Sequence, residues 1–302
     1  MLFDEPEHIA IMRESIRRFL DEEAPRSRVA EWDRQDRVPE SFFKQLACLG
    51  LGALTVPEEY GGVGPDYLAT MVAIEELARG SLAIASGYIM NACYGGMNIS
   101  ESGSERQKEE LLPRLVSGEL SFAYGLSEPD IGADLASVRT RARRENGRVI
   151  VNGVPEARYK NLSFLLIPTD APGISMTHSP TMGLCGLATN DVTFEDVVLG
   201  SESIVGGEVG WNNGWMMLVG EALEVEKLEV AAMALGVATQ SLEDAWAYAE
   251  EREQFGKKIS AFQSIRHKLA DARTKLFACR LMVYSVARLA QSGRPCASET
   301  SM

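Results

Sequence analysis

One carboxylate stands where the pattern of the chain calls for an apolar side chain. Val219, Leu223, Val230, Met233 and Val237 recur at alternating steps of four and three, the spacing of one helix face. The step from Leu223 to Val230 leaves position 226 on that face, and its occupant is Glu226. A carboxylate set in an apolar stripe loses hydration, which disfavours its charged form and raises its pKa. Proteins tune a glutamate into a general base for work near neutral pH in this way. A glutamate at the wet end of a stripe, or one paired with Lys or Arg, gives the same pattern, so periodicity leaves both readings open. Glu221, Glu224 and Glu229 fall off this stripe and read as solvated or paired charges, with Glu224 and Lys227 at i,i+3 spacing.

Other chemistries find little support. The five cysteines (Cys48, Cys93, Cys185, Cys279, Cys296) and three histidines (His8, His178, His267) are scattered without ligand spacing, so no metal site is expected. An odd set of scattered cysteines reads as reduced thiols in a reducing compartment. The formal charge is −13, and no Lys/Arg run is dense enough to follow a phosphate backbone or an anionic membrane surface. No apolar stretch reaches transmembrane length, and the start of the chain shows neither a signal-peptide core nor an Arg-rich transit sequence. A cytoplasmic location is expected, or a mitochondrial matrix after processing. The chemistry therefore falls to carboxylates or to an organic cofactor.

The elements that must position these groups come in blocks. Ile9, Ile16, Phe19 and Leu20 mark one helix face, and Phe42, Phe43, Leu46 and Leu49 another. Gly61-Gly62-Val63-Gly64-Pro65 breaks into a loop, and a long apolar helical stretch follows from Leu68 to Ile99. On that stretch Met90 and Tyr94 read first as core, or with Asn91 as the floor of a pocket. Ser104-Glu105-Arg106-Gln107 has capping-box spacing. After Gly118 the period changes. Val138, Thr140 and Ala142 alternate with three arginines, Asn146-Gly147 signals a hairpin returning through Val149-Ile150-Val151, and 164–167 and 192–199 read as strands. From Trp211 one long helix is predicted to about Glu250, then a turn at Gln254-Phe255-Gly256 and a second helix through Leu289. The sum is an α+β multidomain chain: a helical domain over 1–120, an antiparallel β domain over 121–206 and a helical bundle over 207–302.

Three motifs then fall in a familiar order. Tyr124-Gly125-Leu126-Ser127-Glu128-Pro129-Asp130-Ile131-Gly132-Ala133-Asp134 resembles the flavin-binding signature of the acyl-CoA dehydrogenases. Pro57-Glu58-Glu59-Tyr60-Gly61-Gly62 resembles that family's first-domain loop, and Arg252-Glu253-Gln254-Phe255-Gly256-Lys257 with Phe262-Gln263 its third-domain signature. The resemblance implies FAD bound along Tyr124–Ala133, with Leu126 and Ser127 nearest the ring, Gly132 in the turn, and Ala133 also touching the thioester. It implies that Arg252, Gln254 and Phe255 reach the FAD of a neighbouring subunit, that Gln263 also contacts the cofactor, and that the assembly is a homotetramer.

In the isovaleryl-CoA and long-chain branches of the family the catalytic glutamate sits in a Glu-Arg pair on the long helix. Leu223-Glu224-Val225-Glu226-Lys227-Leu228 is similar to that pattern, so Glu226 is expected to be the base, with Glu224 and Lys227 at the substrate. The activity implied is dehydrogenation of an acyl-CoA to a trans-2-enoyl-CoA, with electrons passing to an electron-transfer flavoprotein. An acyl-CoA oxidase, a nitroalkane oxidase, a flavin monooxygenase or a non-catalytic binding member would share the scaffold. The chain departs from the pattern at Ile131, where a small residue is usual, and at Ala133, where Ser or Thr is usual. Gly153 runs directly into Val154-Pro155-Glu156-Ala157, so about two strands, on the order of 15–25 residues, are expected to be missing there. The final bundle is expected to be incomplete at Met302.

Overall fold

A computed structural model of the chain describes residues 5–132, 134–151, 162–218 and 220–302. Three helices open it: α1 (Glu7–Glu23), α2 (Arg26–Arg34) and α3 (Glu40–Ala47). Each follows directly on a proline, whose fixed φ suits a helix entry. Next comes α4 (Tyr67–Gly80), capped by the Asp66 carboxylate, which accepts from the Ala69 amide at 2.9 Å. Every side chain from Leu68 to Ala78 is buried, so α4 is the axis on which the other helices pack. The predicted stretch from Leu68 to Ile99 is not one helix. Ser81 is extended and starts α5 (Leu82–Ile89), a π-helical turn over Met90–Met97 follows, and α6 (Asn98–Ser102) ends the run. The capping box forms as expected and opens α7 (Glu105–Val116).

Residues 142–200 hold five antiparallel strands: β1 (Ala142–Glu145), β2 (Arg148–Val151), β3 (Ile174–His178), β4 (Asn190–Phe194) and β5 (Val197–Gly200). They form a β1-β2-β5 sheet and a β3-β4 pair. Asn146 and Gly147 both take positive φ (50° and 74°), as a two-residue hairpin turn requires. Register pairs Val149 with Leu199 and Val151 with Val197, and these four side chains form the buried face. Three strand expectations need correction. Residues 138–141 are not a strand, because the Glu128 carboxylate accepts from the Arg139 and Thr140 amides that a neighbouring strand would have used. The 164–167 run makes only an isolated bridge, Leu165 to Ile204. The 192–199 run splits at Asp196, which takes a φ of 50° and turns β4 into β5. Strand β3, exposed from Ser175 to His178, is not among the strands expected.

Beyond the sheets the chain is helical again. It forms α8 (Gly214–Leu218), α9 (Glu221–Glu251), a small hairpin of β6 (Glu253–Gln254) and β7 (Lys257–Lys258), then α10 (Gln263–Gln291) and α11 (Ala297–Thr300). The single helix expected from Trp211 is therefore two. The apolar stripe also needs correction. The buried face of α9 is Val225, Leu228, Ala232, Leu235, Thr239 and Leu242, whereas Val230 and Val237 are exposed and Val219 lies outside the described residues. Both ladders have the same period, and contact with α4 selects between them. At Gly236 an added Cβ would lie 2.2 Å from the Glu75 carbonyl oxygen, so glycine permits the two backbones to meet there. One apolar core runs from Ile9 and Ile16 through α4 to Val225, Leu228 and Tyr284, joining the first and last helical blocks.

At the centre of that core α4 carries two adjacent buried carboxylates, Glu75 and Glu76. Arg280 of α10 donates from Nε to Glu75 at 2.9 Å, and from Nη2 to the Thr239 hydroxyl of α9 at 2.8 Å. The Tyr284 hydroxyl also donates to Glu75. Glu76 accepts from Arg17 at 2.8 and 2.9 Å, from Arg79 at 3.0 Å and from Arg13. Burial opposes the charged form of Glu76, and the Arg17, Arg13 and Arg79 guanidiniums overcome it and hold the carboxyl below the usual carboxylate range. Removing one member of a buried charge network leaves the others uncompensated. Glu76→Gln is expected to lower unfolding stability by about 3–5 kcal/mol, read from urea unfolding of the two proteins. A change under about 1 kcal/mol, the scale of a surface pair, would show that the network is solvated.

Candidate active site

Glu226 faces the π-helical turn, a distortion common at functional sites. The turn carries Cys93 and Tyr94, and the Tyr94 hydroxyl donates to Glu226 Oε1. Among the described residues Oε2 has no hydrogen-bond partner. Glu226 is half-buried at one side of a small pocket shared with Tyr94, Tyr124, Leu218, Leu223 and a second carboxyl, Glu229. Burial, and then the hydrogen bond to Glu226, push the Tyr94 phenol well up. Burial, and then the Glu226 charge, do the same at Tyr124. Both phenols therefore stay protonated over the whole working range of the protein.

The segment 121–132 meets this pocket through Tyr124. Asn91 anchors its start: its Oδ1 accepts from the Phe122 amide at 2.7 Å, while its Nδ2 donates to the Gly87 carbonyl at 3.1 Å. The Phe122 ring covers Gly95, where a Cβ would lie 2.4 Å from it. Tyr124 then lies between Tyr94 and Phe164, with ring centroids 5.0 and 5.6 Å apart. Residues 124–127 belong to no helix or strand, and among the described residues their amides have no hydrogen-bond partner. Glu128 and Ile131 close a tight turn with reciprocal amide bonds of 2.9 and 3.0 Å. Ile131 is buried, which gives the bulky residue at this position a packing role.

This segment fits a flat cofactor on several counts. A Cβ at Gly125 or Gly132 would meet nothing within 4 Å, so the backbone is open to close approach. Amides without a partner among the described residues, and the Ser127 hydroxyl, supply donors beside it. Leu126 and Ser127 lie on the open stretch, Gly132 at its end, and Ala133 is outside the described residues.

The remaining expected site residues lie elsewhere. Arg252, Gln254, Phe255 and Gln263 sit on and after the β6–β7 hairpin, all exposed, and none lines the pocket. Glu224 and Lys227 do pair, at 3.2 Å, as their spacing indicated. Both are engaged by α11, however. The Thr300 hydroxyl donates to Glu224 and, with Lys227, holds its carboxyl low, while Lys227 reaches the Ser301 hydroxyl at 3.4 Å. Neither lines the pocket. Among the described residues no His/Cys/Asp/Glu group could hold a metal, and no helix is long and apolar enough to cross a membrane.

Glu229 is the residue that sequence reasoning misplaced. It is 1% exposed, and among the described residues neither carboxyl oxygen has a hydrogen-bond partner. Burial pushes its pKa up to about 8; the adjacent Cys93 thiol, a weak donor, opposes this in part, and the Glu226 charge adds to it. The signal that would have found it is the second ladder, because Glu229 lies four residues after Val225 and three before Ala232. Two carboxyls one helical turn apart, one half-exposed and held by a phenol, the other neutral and dry, form the kind of asymmetric pair that divides proton-handling roles.

The sequence model described as acyl-CoA dehydrogenase, N-terminal domain, matches residues 6–119, and that described as acyl-CoA dehydrogenase, C-terminal domain, matches 212–302. The acyl-CoA dehydrogenase of Bacillus subtilis is 32% identical over 97% of this chain and 81% of its own length. That alignment spans 314 residues against a chain of 302, so the relative carries residues inside the aligned stretch that have no counterpart here. Butyryl-CoA dehydrogenase from Megasphaera elsdenii superposes with a TM-score of 0.92 at 26% identity, covering 99% of this chain and 83% of that one. A glutaryl-CoA dehydrogenase from Mycobacterium smegmatis, solved in complex with FADH2, gives 0.87 at 26% identity over 99% and 80%.

The environment of Glu229 sets a pH dependence with a definite sign. An unfolded glutamate titrates near 4.5, and the folded one near 8, so the folded state keeps a proton that the unfolded state gives up. Stability therefore falls as pH rises from about 4.5 to about 8, and levels off above. Glu229→Gln lacks this titration. Its thermal midpoint should match wild type near pH 4 and exceed it by a growing margin up to pH 9. A margin that stays constant with pH would show that Glu229 is solvated.

Proposed function

The chain belongs to the acyl-CoA dehydrogenase family, and from that membership we propose that it removes one hydrogen from each of the α and β carbons of an acyl-CoA, with Glu226 as the base for the α-proton. It is an FAD-dependent oxidoreductase with the helical, β, helical layout of the family. The observation that carries the proposal is the Tyr94–Glu226 hydrogen bond beside Tyr124. It fixes the carboxylate by one oxygen and leaves the other to take a proton. We take 1–120, 121–206 and 207–302 as the domain units, with the shortened stretch near 153. The extra residues of the Bacillus relative support that reading.

FAD bound along 124–132 supplies the acceptor for the β-hydride. The chain's own residues do the rest. The amides of Leu126 and Ser127 and the Ser127 hydroxyl hold the ring edge, and Gly125 and Gly132 let the backbone approach it. Tyr124 and Phe164 wall the site against water. The substrate carbonyl needs fixed donors as the α-proton leaves, a role for backbone N–H at Ala133. Glu224 and Lys227, committed to each other and to α11, brace the helix that carries the base instead of touching substrate.

Arg252, Gln254 and Phe255 reach the cofactor of a neighbouring subunit, and Gln263 contacts the cofactor as well. The planar fork of Arg252 suits a pyrophosphate. Their exposure in a single chain supports that role, as do Phe255 at 91% exposed and the uncovered Trp246, Tyr248 and Phe277 nearby. Electrons leave to an electron-transfer flavoprotein. An oxidase on the same scaffold would differ in fast aerobic reoxidation.

Glu226→Gln should fold and bind FAD and acyl-CoA, yet bleach the flavin about two to four orders of magnitude more slowly in anaerobic stopped flow. Glu224→Gln should change the rate far less. Bleaching by Glu226→Gln at the wild-type rate would place the base elsewhere. The assembly is expected to be a homotetramer built from two-fold contacts, and the mass of the FAD-bound protein in solution at micromolar concentration checks this. A monomeric mass with FAD bound would contradict it.

A further inference from the structure

Glu229 is not the base proposed above, and among the described residues neither of its oxygens has a hydrogen-bond partner. It lies one helical turn beyond Glu226 on α9, at the buried end of the same pocket. Two of the other polar groups there are committed. The Tyr94 hydroxyl goes to Glu226, and Asn98 Nδ2 donates to the Tyr94 carbonyl at 2.9 Å. Cys93 offers only a thiol. A buried carboxyl with both oxygens unpaired is costly, and such groups persist where something else completes their hydrogen bonds. Leu218, Leu223 and Met97 line the same pocket, so a molecule that reaches Glu229 passes apolar walls and is best met there by a polar group.

We propose that Glu229 makes this pocket selective for an acyl-CoA whose chain carries a hydroxyl group about one helical turn beyond the α-carbon. Resting on the dehydrogenase reading above, the proposal names the substrate class of that site. A protonated carboxyl offers one O–H donor and one carbonyl acceptor, and a hydroxyl is the small group that answers both. The reach follows from helix geometry. Side chains at i and i+3 are about 5–6 Å apart, the span from an α-carbon to an oxygen on the fifth carbon of an extended acyl chain. A plain alkyl chain of that length would bury Glu229 against methyl groups and leave it unpaired. Sites built around a substrate hydroxyl reject analogues that lack it for this reason.

The test uses the full chain loaded with FAD and two probes of equal chain length, pentanoyl-CoA and 5-hydroxypentanoyl-CoA. Binding is measured by calorimetry and flavin bleaching by anaerobic stopped flow. Wild type is expected to bind the hydroxy thioester more tightly on the order of tenfold or more. Glu229→Gln, which keeps a donor and an acceptor, should retain most of that preference, and Glu229→Leu should reverse it. Equal affinity in wild type, or a preference that survives in Glu229→Leu, overturns the proposal. If Glu229→Leu fails to fold, Glu229→Met serves, and the wild-type comparison stands without either. Bleaching by both probes with no preference removes the hydroxyl selectivity and leaves dehydrogenation standing. A binding preference without bleaching does the reverse, and binding of neither thioester overturns both.

Discussion

The structure depends on neutralising two adjacent carboxylates inside one helix. Glu75 and Glu76 put two carboxyls at the centre of α4, where water does not reach, and α1, α9 and α10 each send a group to them. Arg13 and Arg17 come from α1, Thr239 from α9 through Arg280, and Arg280 and Tyr284 from α10. A buried network of this kind adds little net stability over an apolar core, but it penalises any arrangement that leaves a member unpaired. It therefore acts on geometry. With α10 tied to Glu75 and to Thr239, and Gly236 set against the Glu75 carbonyl, α9 can neither slide nor rotate freely against α4.

The rotation of α9 decides the chemistry of the pocket. Turned as it is, the helix buries Val225, Leu228 and Glu229 and leaves Glu226 at the edge, against the Tyr94 hydroxyl. A rotation of about one-sixth of a turn would carry Glu226 to the azimuth that Glu229 now holds and turn Glu229 off it. The π-helical turn supplies the other half of the arrangement. Its Gly95 accepts the Phe122 ring, and its Tyr94 meets both Glu226 and Tyr124, so the base and the 121–132 segment are positioned by the same eight residues.

The helical blocks were legible in the sequence because their apolar periods are long and their caps explicit, as at Ser104, and the β1–β2 hairpin was legible from its Asn146-Gly147 turn. Strands were less so. A carboxylate that takes strand amides, as Glu128 does, and a turn hidden in an apolar run, as at Asp196, leave no mark in the alternation. The stripe on α9 was ambiguous by construction, since two ladders of equal period run side by side and only the α4 contact chooses between them. Glu226 was found on the ladder that is not buried. Its placement beside Tyr94 thus rests on the motif and the geometry, and the original argument from burial applies to Glu229. Tyr94 itself read as core, and nothing in spacing alone would have aimed its hydroxyl at a residue 132 positions away.

The central claim is that Glu226 takes the α-proton. It can be isolated from hydride transfer with a thioester analogue carrying sulfur in place of the β-methylene, which can lose an α-proton but has no β-hydride to give. Exchange of its α-protons with D2O, followed by NMR on the FAD-bound protein, reads deprotonation alone. Wild type and Glu229→Gln should both catalyse the exchange, and Glu226→Gln should not. Exchange at the wild-type rate in Glu226→Gln would contradict the account.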